Sequence, residues 1–318
     1  MLEEIADSIR RNQNIIEKKE ISPIVKYIND KTYKSSRIYS DLGEDSAAIN
    51  DQDTYILVTT DRINTNYIKT YPYGAGFSSI LVGVDDIFCC GGRPLAASLI
   101  LSYKDPKIGQ EIIEGICEGS TKFQVPIIRG HTKPRSESYE LSSTMVGEIL
   151  KQDYISATNA KISDAIILVV DFDGKVAKAN KFYWDTVTFK SSDQVLNKRK
   201  AMNQIAHTHI IHASKDISNG GIFGSILQIV KYSSVGANID IESINIPPKL
   251  KAQNYTLEQY SKMYLTTSYV LTAPLENCDE AINIFNFYGL DAMIIGKIIK
   301  EPILKIHDKK SSIEVIKY

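Results

Sequence analysis

Carboxylates in this chain collect where apolar runs begin or end. Asp41, Glu44 and Asp45 surround Gly43 just before an apolar segment. Asp61 closes the run Thr54–Thr60, and Asp85-Asp86 stand inside the stretch Gly74–Ala97. Asp216 opens Asp-Ile-Ser-Asn-Gly-Gly, with Ser218, Asn219, Gly220 and Gly221. Turn chemistry uses Asp and Gly freely, but clustered carboxylates are also how hard cations are held. Paired glycines at a helix start leave backbone N–H groups open to an anion, or serve an ordinary N-cap and a tight packing contact. His131, in Arg129-Gly130-His131-Thr132, titrates near neutral pH and could move a proton. Scattered Asp with glycine turns is the inventory of a metal-assisted phosphate site built from distant segments. Familiar alternatives are missing from the sequence: no P-loop, no G-x-S-x-G, no H-E-x-x-H and no kinase signature.

Positioning such residues takes ordered elements. Phe77, Ile80, Leu81, Val84, Ile87 and Phe88 have the i, i+3, i+4 spacing of an amphipathic helix. The opposite face carries Ser79, Gly83, Asp86 and Cys90, so something comes close to its backbone, either a packed neighbour or a ligand. Gly91-Gly92 and Pro94 stop that helix. Thr54–Thr60 reads as a buried strand that leaves Asp61 at its C-terminal end, where ligands commonly sit and where a turn or N-cap role is also available. Ala97–Tyr103, Val125–Ile128 and Leu141–Ile149 read as strands, and Ile108, Ile112, Ile113 and Ile116 mark a second helix. The first residues through Asn29 read as a helical arm over the first domain. The pattern loosens over Leu150–Asp164, which places a domain boundary there. Beyond it come a buried strand at Ala165–Val170, a polar helix over Ser191–His212, a loop at Asn180–Lys190 and a helix opening at the Asp216 loop. Strands follow at Tyr264–Thr272, Ala292–Ile299, Ile303–Ile306 and Ile313–Ile316, with a helix at Cys278–Tyr288. The chain is thus mixed α/β (α+β), with domains over 1–150 and 151–318.

Composition narrows the function. With 43% hydrophobic and 24% charged residues, 318 residues can bury sizeable cores. A formal charge of −1 without a basic run argues against a nucleic-acid binder. No apolar run is long enough for a bilayer span, and no signal peptide is visible, so a cytoplasmic protein is expected. Cys89, Cys90, Cys117 and Cys278 show neither C-x-x-C spacing nor a disulfide framework. His207, His209 and His212 splay too widely for a metal site.

Taken together, these segments resemble the aminoimidazole ribonucleotide (AIR) synthase-like superfamily. Asp41–Ala47 resembles its G-D-D-A motif, and Thr59-Thr60-Asp61 its T-T-D. Asp85-Asp86-Ile87 with Gly91-Gly92-Arg93-Pro94 resembles its central helix, and Asp216–Gly221 its D-x-S-x-G-G loop. The resemblance implies a two-domain fold whose N-terminal sheet pairs with a second copy, so a homodimer is expected. It implies ATP and Mg²⁺ in a cleft of the N-terminal domain, with the γ-phosphate passed to a small-molecule acceptor. On that footing Asp45, Asp61 and Asp86 are expected to hold the metal, with Glu44 as a further or supporting ligand. Gly130, Thr132, Asp216, Ser218, Asn219, Gly220 and Gly221 would meet the nucleotide or substrate phosphate, and His131 would orient the nucleophile or accept its proton.

Departures are visible too. His131 stands where members usually carry an acid, Gly83 where Asn is usual, and Asn219 lacks the second acid of the thiamine-monophosphate kinase loop. In these details the chain looks closest to AIR synthase-related members without an assigned activity. An ATP-using phosphotransferase or ATP-activated synthase is the first expectation. A thiamine-monophosphate kinase-like activity and a nucleotide-binding regulatory protein without turnover are the alternatives.

Overall fold

The computed structural model describes residues 2–317; Met1 and Tyr318, the outer ends of the two expected domains, lie outside them. Two helices open the chain, α1 (Leu2–Arg10) and α2 (Gln13–Lys31). A six-stranded sheet follows, made of β1 (Ile38–Ser40), β2 (Ala47–Asp51), β3 (Thr54–Arg62), β4 (Arg93–Tyr103), β5 (Ile127–Pro134) and β6 (Glu140–Leu150). Its order is β1-β2-β3-β6-β4-β5, antiparallel except for the β4–β5 pair. Helices α3 (Thr65–Thr70), α4 (Pro72–Cys89) and α5 (Pro106–Phe123) belong to this half, with α4 and α5 packed against each other.

The second half begins with β7 (Ala165–Val170), the hairpin β8 (Lys175–Ala177) and β9 (Asn180–Asp185), and α6 (Ser192–Thr208). Next are β10 (Ala213–Asp216), α7 (Gly221–Tyr232), β11 (Gly236–Asp240), α8 (Pro248–Ala252), α9 (Leu257–Ser261) and β12 (Tyr264–Leu265). Then β13 (Tyr269–Ala273), α10 (Cys278–Phe287), β14 (Asp291–Ile299), β15 (Ile303–His307) and β16 (Ser312–Lys317) complete it. Seven strands form a sheet in the order β10-β13-β7-β14-β11-β15-β16, and β12-β9-β8 form a small third sheet. All six residues of β7 are buried because both faces of that sheet are covered. Ile167 and Val169 join a core shared with α4–α6, while Ile166, Leu168 and Val170 join a core shared with α1 and α7.

Several elements differ from expectation, each for a long-range reason. The N-terminal arm packs on the second half: Leu2, Ile5 and Ile9 enter the core of β11, β14 and β15. Arg10 donates to the carbonyls of Val315 and Glu314 on β16. The segment Asn180–Lys190 begins as strand β9, which pairs with β8 in a hairpin and with the distant β12 on its other side. Gly130, His131 and Thr132 lie within β5 rather than after it, paired with Leu99, Ile100 and Leu101.

Helix α4 settles what its small face is for. Pro72 stands in its first turn and Gly91, at φ +82°, follows its end. A Cβ on Gly83 would lie 2.8 Å from the Met145 Cβ on β6. Ser143 of the same strand donates to the Ser79 carbonyl. The small face therefore lets a sheet approach the helix, and only Asp86 near its end reaches a cavity. Placing Asn at position 83 is expected to overpack this contact and cost about 1–3 kcal/mol in urea unfolding. A Gly83→Asn variant as stable as the parent would show that β6 yields there.

Candidate active site

Strand parity sets the first two groups. Tyr55 and Leu57 of β3 point into the core, so Thr59 and Asp61 fall on the same face, toward α4. Thr59 Oγ1 donates to Asp86 Oδ2 at 2.6 Å and lies 3.5 Å from Asp61 Oδ2. Asp45 comes from the turn before β2, and the Cys89 thiol donates to its Oδ2 at 2.9 Å. Asp216 ends β10, which packs against α4. One oxygen from each of Asp45, Asp86 and Asp216 lies within 4.8 Å of the other two. This spacing and all-oxygen donor set fit a hard divalent cation such as Mg²⁺. The acids line a cavity of about 680 Å³ between the two halves.

Two lysines that the sequence analysis did not single out complete the charge pattern. Lys215 is buried at 4% exposure and forms an ion pair with Asp45. Lys18 comes from α2, donates to Gln228 Oε1 at 2.7 Å and reaches Ser218 Oγ at 3.5 Å. Burial lowers both ammonium groups, Lys215 to about 8, against the pull of nearby Asp216. Asp86 is pushed well above the usual carboxylate range, first by burial and then by Asp61 and Asp216. Asp61 is also raised by burial, but its hydrogen bond with Asp86 works the other way, so the upward push is the stronger on Asp86. No local sequence signal marked Lys18. Lys215 had none either, since Ser214, Lys215 and Asp216 are three polar residues in a row and only the fold buries them in β10.

The remaining expected site residues fall in three places. Ser218 and Asn219 open onto the acid cavity, and Gly220 lies beside Lys18, 3.8 Å from where its Cβ would stand. Gly221, at φ +65°, answers to packing, since a Cβ there would lie 2.1 Å from the Ser261 carbonyl oxygen. Glu44, expected as a further or supporting ligand, lines the same cavity as the acids. Its carboxylate accepts from Ser40, Ser156, Thr158 and the Ala157 backbone N–H, which ties it to the 156–158 loop in a supporting position.

His131, with Gly130 and Thr132, is not brought to the acids. All three are exposed on β5, three strand positions from β3, or roughly 14 Å at about 4.8 Å per strand. Gly130 is small because a Cβ would lie 2.1 Å from the Leu99 carbonyl oxygen. Asp85, beside Asp86, is buried against Arg199 of α6 and takes no part in the cavity. His207 and His209 both bond Asp153, and His212 bonds Asp164, so the three histidines form no common site.

An α/β protein with a carboxylate-and-lysine cleft between two sheets is a scaffold for metal and phosphate handling. Residues 43–149 match the family described as AIR synthase related protein, N-terminal domain, and residues 166–309 its C-terminal domain. The chain belongs to the AIR synthase-related family.

An uncharacterized protein of Methanocaldococcus jannaschii is 33% identical, with 96% of this chain and 94% of that one covered. A phosphoribosylformylglycinamidine cyclo-ligase of Pyrococcus horikoshii is 24% identical over 82% and 84%. Among solved structures, a ThiL complexed with AMPPCP and TMP superposes with a TM-score of 0.66 at 19% identity, covering 92% of this chain and 95% of that one. Thermotoga maritima PurL complexed with ATP gives 0.71 at 13% identity over 84% of this chain, which spans only 45% of the PurL chain. These structural likenesses carry the two-domain fold. Among the described residues no helix is long and apolar enough to cross a membrane.

Proposed function

We propose that this protein is an ATP- and Mg²⁺-dependent phosphotransferase or ATP-activated synthase acting on a small-molecule acceptor. The observation that carries the reading is the convergence of Asp45, Asp86 and Asp216 with Lys18 and Lys215 in one cavity. Asp45, Asp86 and Asp216 would hold the cation, with Asp61 hydrogen-bonded behind Asp86. When bound, the cation neutralises charge on the phosphates it bridges. Lys18 and Lys215 place positive charge beside the same space, and Ser218, Asn219 and Gly220 supply polar contacts on the α7 side. ThiL and PurL structures carrying AMPPCP and ATP support a nucleotide ligand by kinship. The test is Mg·ATP binding by thermal shift and calorimetry, followed by ADP release with acceptor panels. Absence of any Mg·ATP response would sink the reading. Binding without turnover across the panels would favour a nucleotide-binding regulatory protein, the reading supported by the distance of His131 from the acids.

The edge of the first sheet supports a homodimer. Ile128 is 66% exposed on the edge strand β5 and Ile100 49% exposed on its neighbour β4, so uncovered apolar side chains stand at a free edge of the kind that invites pairing. A second copy seated there would cover His131, and this is where a role for that residue would arise. The protein is expected to sediment as a dimer and Ile128→Lys as a monomer. A parent chain that stays monomeric at micromolar concentration would remove both the dimer and the His131 assignment.

A further inference from the structure

A second cleft of about 680 Å³ opens beside the acid cavity. The two share Asn14, Asn180, Tyr183, Asn219 and Tyr264, so they meet at one wall. Resting on the phosphotransfer reading above, we propose that this second cleft is the acceptor subsite. It takes a neutral or cationic planar compound bearing a hydroxyl or amine, and it does not take a phosphate monoester.

Charge is the first argument. The cleft is lined by three carboxylates, Glu4, Asp7 and Glu258, against two cations, Arg11 and Lys262. Lys262 is committed to Glu258, Asp7 is held by Arg10 at 3.0 Å, and the exposed Arg11 lies 3.9 Å from that same carboxylate, so the cleft has no buried, uncommitted cation. Glu4 has no ion-pair partner among the described residues. A phosphate ester wants uncommitted Arg or Lys, or an open helix N-terminus. Lys18 lines the acid cavity and not this cleft. The start of α2 does open here, but Asn12 already closes most of it. Its side chain accepts from the Asn14 N–H, and its carbonyl from those of Ile15 and Ile16.

Donors and an aromatic surface are the second argument. Asn14 Nδ2 donates to the Asn219 carbonyl at 2.9 Å, which leaves its Oδ1 for a ligand donor. Asn180 Oδ1 accepts from the Phe182 N–H at 2.9 Å, which leaves its NH₂ for a ligand acceptor. Tyr183 and Tyr264 stack with centroids 5.2 Å apart and planes 11° off parallel, at the wall where the clefts meet. Burial keeps both phenols in their neutral form. A planar group can lie against this pair, and a cationic one gains from the ring faces. The acceptor's oxygen or nitrogen then forms its bond to the γ-phosphorus as the bond to ADP breaks. ADP keeps the electron pair, and the acceptor's proton leaves to water.

The experiment uses the full chain and calorimetry with matched pairs: thiamine and its monophosphate, pyridoxine and its 5′-phosphate, nicotinamide riboside and its 5′-phosphate. Each is titrated with and without saturating Mg·AMPPNP. The unphosphorylated member is expected to bind about tenfold more tightly or better, and Glu4→Arg to reverse that preference. Phosphate esters binding equally or more tightly, or no pair binding at about 1 mM, would overturn the assignment. Mg·AMPPNP titrated alone separates the two readings. Nucleotide binding without discrimination within the pairs removes the acceptor class only. Failure of the nucleotide to bind removes phosphotransfer, while the titrations without nucleotide still report on the cleft.

Discussion

Asp86→Asn is expected to lose Mg·ATP-dependent turnover by roughly 10²–10³-fold and, in the same molecule, to raise the melting temperature of the ligand-free protein. Both effects come from one carboxyl. Asp86 lies between Asp61 and Asp216, with burial raising its pKa well above the ordinary range. A carboxyl whose pKa is raised on folding stabilises the native state below the unfolded-state value near 4, and this contribution is lost as pH rises through the folded value. At neutral pH the parent therefore carries a strained cluster of acids, and the amide relieves it. The gain should be about 1 kcal/mol, or about 2–4 °C. The stability gap between variant and parent should widen as pH rises from the acid side toward neutrality. Cation affinity of the parent should rise over the same interval, because the ligands must shed their protons. Thermal melts and Mg²⁺ titrations over that range measure both. A variant that melts lower than the parent at neutral pH would contradict the electrostatic account.

The second large effect concerns Arg199, which is fully buried. Its Nη2 and Nε lie 2.6 Å and 3.0 Å from Asp85 Oδ1, and its guanidinium sits 5.0 Å from the Phe123 ring centroid. The pair joins α4 of the first half to α6 of the second. Arg199→Met leaves Asp85 buried without its counter-charge, with only the Thr267 backbone bond, so a loss of about 3–5 kcal/mol is expected. Asp85→Leu combined with Arg199→Met should recover most of it, because an apolar pair of similar volume costs little where both charges are removed. Denaturant unfolding of the two single variants and the double variant gives the coupling energy. Additive losses would mean that the contact is not energetically a pair.

The sequence made the acids legible but not their alliances. Asp45 stands before an apolar run, Asp61 closes one, Asp86 interrupts one and Asp216 opens a glycine loop, and element ends are where a cleft collects side chains. Asp216 was expected beside a phosphate; in the structure its oxygen lies within 4.8 Å of those of Asp45 and Asp86, a placement set by β10 packing on α4 and invisible to local pattern. Glu44 adjoins Asp45 in sequence, and the loop at 156–158 holds it from more than a hundred residues away. Asp85 looked like the weaker neighbour of Asp86, and Arg199 makes it a structural ion pair instead. Gly83 and Gly130 looked functional by type, and both answer to a neighbouring strand. In each case sequence spacing reports the element, and contacts between distant elements decide what the residue does.

The first helices of this chain also have a consequence for its biosynthesis. Lys18 reaches the acids from α2, while α1 before it is held by β16, among the last residues described. The segment that carries Lys18 must therefore wait for a strand made some 305 residues later before it is anchored. Until then a nascent chain carries a bare negative cluster with an incomplete set of counter-charges. Assembly of the site is thus tied to the synthesis of β16, and a fragment clipped before Ser312 would keep the acids and Lys215 but lose the anchor of the segment that carries Lys18.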